Sequence, residues 1–367
     1  MRIPFYIIFI VFPLLTSAQS KIEFAIIAYY SAGPEKVDSL PAEKLTHIIY
    51  SFCHLKGNKL MVNNAKDSLT IKKLSTLKKR NPKLKVLLSL GGWGGCETCS
   101  DVFSIEEARK EFSESVLALN RYFHTDGIDL DWEYPAIEGF PGHAFMIEDK
   151  ANFTNLVQQL RNTMGPSYEI SFAAGGFQKF IEESIDWDPV MKVVDRVNVM
   201  SYDLVHGYST ETGHHTPLYS NPSQKESTDN AVQYLIKIGV PRNKIVIGGA
   251  FYARVWENVS PERNGLYQSG KFKMAVDYKN FSTGLRGFKF YWDELSQAPY
   301  AFNETEKLFA TFDNGKSLAL KTNYAIDQKL NGIMFWELSL DTNEEGLLDS
   351  IYETFTAKSG HNRKQRR

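Results

Sequence analysis

What most constrains the fold of this chain is a recurrence: eight short runs rich in β-branched and aromatic residues alternate with longer stretches of helical periodicity. The strand-like runs are 24–30, 47–52, 86–90, 127–133, 169–173, 197–202, 245–251 and 332–338. Helix-like stretches at 68–79, 105–122, 150–164, 228–238 and 316–330 place apolar residues near helical spacing. Strands separated by helices are joined by crossovers, and crossovers make parallel sheets. Eight such units predict an α/β fold of the TIM (β/α)8 barrel type, for which 367 residues are enough with a modest addition. The addition falls before the last strand. Residues 254–313 are too many for one connection and too rich in Gly, Tyr and Phe for one helix, which predicts a small α+β insertion between strands 7 and 8.

The ends read differently from the barrel, which spans 19–358. Residues 1–18 place Arg2 ahead of an apolar run and finish in Thr16, Ser17 and Ala18, the pattern of a secretory signal peptide. The run is shorter than the roughly 20 apolar residues that cross a bilayer, so a secreted or periplasmic protein with no membrane contact after cleavage is expected. Residues 359–367 are basic and lack apolar anchors, and are expected to be a solvated, disordered end. A net charge of −1 excludes a strong electrostatic case for nucleic acid or an acidic membrane as partner, and a monomer is expected. In an exported chain, Cys96 and Cys99 read as a disulfide stapling a glycine-rich loop, against a redox-active CxxC, which normally opens a helix.

Chemistry concentrates in 126–135, DGIDLDWEYP. As a strand it puts Asp129, Asp131 and Glu133 on one face and Ile128, Leu130 and Trp132 on the other. In a barrel the apolar face meets the helices, so the acids point inward, where burial is costly unless they are used or paired. Neighbouring like charges keep at least one carboxyl protonated above its usual range. Glu133, at the C-terminal end of the strand, lies where barrel sites open, and a protonated acid there suits glycosidic bond cleavage. No metal or cofactor is expected: the glycines at 91, 92, 94 and 95 lack a following Lys-Ser/Thr, and His214-His215 in a polar loop, without further ligands nearby, read as surface or cleft-rim residues.

The segment resembles the DxxDxDxE signature of the family 18 glycoside hydrolases, the chitinase family, with its acids at Asp126, Asp129, Asp131 and Glu133. Further similar segments follow in order: Ala28-Tyr29-Tyr30, Ser89 to Trp93, Met200-Ser201-Tyr202-Asp203, Tyr252-Ala253-Arg254 and Gly332 to Trp336. Phe290 to Asp293 and 308–313 resemble the insertion of one chitinase subgroup. The resemblance implies a retaining, substrate-assisted chitinase acting on chitin or chito-oligosaccharides. Glu133 would be the acid, Asp131 would orient the substrate's acetamido group, Asp129 would share a proton with Asp131, and Tyr202 would donate to the acetamido oxygen. Trp336 would floor the site, Asp203 would contact the sugar, and Met200, Tyr29, Ser89, Phe52, Trp93, Tyr252 and Arg254 would complete the binding cleft. The alternatives are an endo-β-N-acetylglucosaminidase on glycoprotein glycans and a non-catalytic chitin-binding lectin, the latter typically lacking the acid that Glu133 supplies.

Overall fold

A computed structural model of the chain describes residues 24–364. Its strands are β1 (Ala25–Tyr30), β2 (His47–Lys56), β3 (Lys59–Met61), β4 (Lys85–Gly91), β5 (Gly127–Asp131), β6 (Glu169–Gly175), β7 (Arg196–Met200), β8 (Ile245–Ala250), β9 (Tyr252–Glu257), β10 (Lys271–Asp277), β11 (Lys289–Asp293), β12 (Ala298–Asn303), β13 (Leu308–Thr311) and β14 (Gly332–Trp336). Eight of them run parallel in the order β1-β14-β8-β7-β6-β5-β4-β2, and pairing of β1 with β2 closes the ring into a TIM barrel. The short β3 forms a hairpin with β2 that the sequence reading missed. The helices are α1 (Ala65–Thr76), α2 (Cys99–Ser104), α3 (Glu106–Phe123), α4 (Asp149–Met164), α5 (Gln178–Glu183), α6 (Trp187–Val193), α7 (Thr228–Lys237), α8 (Phe281–Gly284), α9 (Gly315–Asp327) and α10 (Leu347–Lys364).

The two-residue period of the strands decides what each layer contains. Ile26, Ala28, Ile128, Leu130, Val197, Val199 and Phe335 pack in the layer shared with Phe112, Val116, Leu156 and Leu160 of the surrounding helices. Ala25, Ile27, Tyr29, Ile49, Leu87, Val246 and Met334 form a separate cluster inside the ring. Side-chain caps start three helices where the chain needs them. Asn64, Ser227 and Asn314 accept from the backbone N–H groups of Asp67, Asn230 and Ser317, which is why α1 begins at Ala65 rather than at 68. At the lower end of the barrel, Glu169 meets His47 at 3.0 Å and Arg196 at 3.1 Å, so its buried carboxylate is paired.

Three expectations change. The acidic strand, expected over 127–133, stops at Asp131, and Glu133 lies in the loop beyond it. The chain turns back there: Gly139 passes so close to the Glu133 carbonyl that a Cβ would stand 2.1 Å from its oxygen. The residues from 359, read as a solvated, disordered end, are described as a continuation of α10 as far as Lys364. Cys96 and Cys99 do form a disulfide, but Cys99 is also the first residue of α2, so the pair opens a helix after all. The signal peptide expected at 1–18 lies outside the described residues.

The insertion is a five-stranded antiparallel sheet in the order β10-β9-β13-β12-β11. Val255, Ala301, Ala310 and Phe312 pack on one side of it and Trp256, Tyr300, Phe302 and Phe309 on the other. It is seated on the barrel by a buried charge knot. Asp313 accepts from the Ala250 amide at 3.0 Å, the Thr216 hydroxyl at 3.2 Å, the Ser317 hydroxyl at 2.6 Å and the Lys321 ammonium at 2.7 Å, with both charges fully buried. Removing one partner of such a pair leaves an uncompensated charge. Lys321→Met is therefore expected to destabilise the fold by about 3–5 kcal/mol, read from the denaturant midpoint; a change under about 1 kcal/mol would contradict this role.

Candidate active site

Parallel register stacks the barrel interior in levels, and polar side chains surround Asp129 there. Ser89 on β4 and Ser171 on β6 are its direct register partners. The Asp129 carboxylate accepts from Ser171 at 2.6 Å, Tyr29 at 2.9 Å, Asn198 at 3.0 Å and Ser89 at 3.3 Å. Burial pushes Asp129 up, and these four donors pull it back toward the charged form. Asp131, one level higher, lacks such support: its Oδ1 is buried without a hydrogen-bond partner. Burial, then Glu133, then Asp129 raise it well above the carboxylate range. Burial and the neighbouring charges thus favour the neutral form more strongly at Asp131 than at Asp129, whose own charge bears on Asp131.

Glu133 stands half-buried at the mouth, past the end of β5. Burial pushes it up to about 7; the Tyr134 hydroxyl opposes the shift by hydrogen bonding to it, and the negative Asp203 adds to it. Burial, rather than the like charges expected along the strand, is thus the largest cause. The ring of Tyr134 is itself fixed among Trp93, Phe177 and Phe180.

Trp336 ends β14 and lies half-buried, stacked on Phe52 with ring centroids 5.5 Å apart and beside Tyr29 at 5.8 Å. Met200, Tyr202 and Tyr252 share its cluster. The ring of Tyr202 lies across Gly248, where a Cβ would approach it to 2.9 Å, so that glycine makes room for a tyrosine at this level. The Tyr202 hydroxyl meets only the thioether of Met334, at 3.9 Å, which leaves a weakly engaged donor facing the acids. Trp93 is 47% exposed on the rim with Tyr134, Phe140 and Tyr208 around it.

Asp203 follows Tyr202 with φ at 56°, a left-handed value uncommon for a residue with a side chain. Burial would raise its carboxyl, but Arg254 and His215 hold it well below the usual range. Arg254 grips both oxygens, through Nε and, at 2.5 Å, through Nη2, so it reaches the site by carrying Asp203. His214 and His215, expected at the surface or the cleft rim, are fully buried. The insertion covers their loop: His214 Nε2 lies 3.0 Å from Asp293 on β11, and His215 Nδ1 lies 3.4 Å from Asp203.

The structure thus gathers Tyr29, Ser89, Asp129, Asp131, Glu133, Met200, Tyr202, Asp203, Tyr252, Trp336 and Phe52 at one end of the barrel, with Trp93 on the rim and Arg254 behind Asp203. Ser171, Asn198, Tyr134 and His215 were missed. Ser171 and Asn198 had a signal, because alternation along β6 and β7 turns them inward at the level of Asp129.

A closed barrel with a raised acid above a buried carboxyl stack is a site of the glycoside hydrolase class. The chain belongs to the glycosyl hydrolases family 18, whose model matches residues 25–341. It is 31% identical over 302 residues to chitinase A1 of Niallia circulans, covering 75% of this chain and 43% of that protein. It is likewise 31% identical over 316 residues to the mouse oviduct-specific glycoprotein, covering 81% and 43%. The chain spans less than half the length of these curated relatives. Among solved structures, a family 18 N-acetylglucosaminidase from Paenibacillus barengoltzii superposes with a TM-score of 0.82 at 34% identity, covering 90% of this chain and all of that one. A chitinase from Bacillus thuringiensis superposes with a TM-score of 0.84 at 26% identity, covering 91% and 70%.

Proposed function

We propose that the protein is an exported chitinase that hydrolyses β-1,4 linkages between N-acetylglucosamine units with retention, by substrate assistance. The feature that carries this reading is Glu133, whose carboxyl burial pushes up to about 7, within electrostatic reach of Asp131, whose Oδ1 is buried without a partner. Glu133 protonates the glycosidic oxygen as the bond to the anomeric carbon breaks. The substrate's own acetamido carbonyl oxygen attacks that carbon and closes an oxazolinium ring. Asp131 accepts the acetamido N–H, Tyr202 donates to the carbonyl oxygen, and Trp336 lies under the sugar while Asp203 contacts it. Glu133, now a carboxylate, takes a proton from the water that reopens the ring, which restores the acid and the configuration. Holding the internal nucleophile in place is the proximity effect that such a mechanism exploits. The leader read at 1–18 and the Cys96–Cys99 disulfide support export.

The acid must carry its proton to work. With Glu133 held up to about 7, kcat/KM is expected to be highest below that pH and to fall about tenfold per pH unit above it. A rate still flat at pH 9 would contradict Glu133 as the acid.

The likeness to an N-acetylglucosaminidase over all of that chain supports a second reading, release of single terminal sugars. Products from a chito-hexamer decide between the two. Dimers and trimers from the first turnovers support the chitinase, monomer and pentamer alone support the exo-enzyme, and tight binding without cleavage would leave a lectin.

A further inference from the structure

The loop between β7 and α7 touches the site at one buried side chain that the mechanism above does not use. His215 presents Nδ1 to Asp203 Oδ1 at 3.4 Å, while its Nε2 is buried with no partner. Its main chain is held from two sides. The His215 amide donates to the Thr311 hydroxyl of β13 at 3.1 Å, and its carbonyl accepts from the Leu204 amide at 3.0 Å. The hydroxyl of the next residue, Thr216, lies 3.1 Å from the Ser201 carbonyl oxygen and 3.2 Å from the Asp313 carboxylate. Residues 215–216 therefore clamp 201–204, the segment that carries Tyr202 and Asp203, and are themselves fastened to the insertion.

We propose that His215 is a positioning residue: as the Nδ1–H tautomer it holds one Asp203 oxygen alongside Arg254, and so ties the seating of the insertion to the geometry of Tyr202 and Asp203. A carboxylate has about four acceptor directions. Arg254 takes one on each oxygen, His215 takes the second on Oδ1, and the Tyr252 hydroxyl is a further donor within reach of the carboxylate. Asp203 needs such support because its backbone is in the left-handed region and gains nothing from local structure. Burial disfavours a charged ring, which leaves a neutral imidazole with a single N–H; with Nε2 unpartnered, the N–H belongs on Nδ1.

The inference rests on the proposed hydrolysis for its kinetic test but not for its spectroscopic one. The amide of asparagine reproduces an Nδ1–H donor, whereas that of glutamine reaches the Nε2 position. Glutamine is closer to histidine in volume, so packing alone would rank it above asparagine. On a chito-oligosaccharide, His215→Asn is expected to keep about half or more of wild-type kcat/KM, and His215→Gln to lose about tenfold or more, chiefly in kcat. Equal effects in the two variants, or the reverse ranking, would overturn the proposal. For the unaltered protein, the long-range proton–nitrogen NMR spectrum of its imidazoles is expected to show His215 neutral and protonated at Nδ1. A ring protonated at Nε2, or at both nitrogens at pH 7, would overturn it whether or not any variant folds. Were the wild-type protein inert toward chito-oligosaccharides, the proposed function would fail while this measurement still decided the role of His215.

Discussion

Glu133→Gln is expected to lower kcat on a chito-oligosaccharide by about 10²–10⁴-fold while leaving oligosaccharide affinity within a few fold. Glutamine keeps the size and planarity of the side chain, so the loop that turns back at Gly139 and the packing around Tyr134 are undisturbed. What it removes is the proton that burial keeps on the carboxyl up to about 7. The separation of kcat from binding is the diagnostic: a folding defect would lower both, and a residue that merely contacts sugar would raise KM first. A variant retaining more than about a tenth of wild-type turnover would remove Glu133 from the acid role.

The second large effect concerns the substrate. A fully deacetylated chitosan oligomer is expected to be refused, with turnover at least about 10⁴-fold below that of the acetylated chain, because effective molarities of well-placed internal nucleophiles reach about 10⁵ M and above. Two features on the barrel axis make the acetamide the expected occupant. Asp131 has a buried oxygen with no partner, and Tyr202 has a hydroxyl engaged only by sulfur. An amide supplies an N–H for the first and a carbonyl oxygen for the second, whereas a free ammonium supplies no acceptor at all. Assay by chromatography of a glucosamine hexamer is direct, and efficient cleavage of it would point to a nucleophile from the protein.

Much of this was legible before any coordinates. All eight barrel strands are where the β-rich runs lie, because a parallel strand buried on both faces is written as a continuous apolar run. The acids were visible because they interrupt such a run at every second position. The boundaries were less so: β5 ends two residues before Glu133, since the tight return past Gly139 is a backbone event with no periodicity to announce it. The burial of His214 and His215 was illegible for a different reason. Their loop is locally polar, and its cover, the sheet of β9 to β13, comes from a segment far along the chain. The small helices α5 and α6 and the β3 hairpin are too short for a periodic signal.

The charge knot at Asp313 also brings the two ends of the insertion together. The chain leaves the barrel after Ala250 and returns at Asp313, and a single 3.0 Å hydrogen bond from the Ala250 amide to the Asp313 carboxylate joins departure to arrival. To the barrel, residues 251–312 between them are a side loop closed at its neck, and β8 pairs with β14 directly. Such a junction is a natural port for exchanging modules of different length. It is not a neutral one, because Arg254 and Thr311 travel with the module while Asp203 and His215 stay behind. A transplanted module therefore has to bring its own arginine for the host's aspartate, and shape alone will not rank grafts at this port.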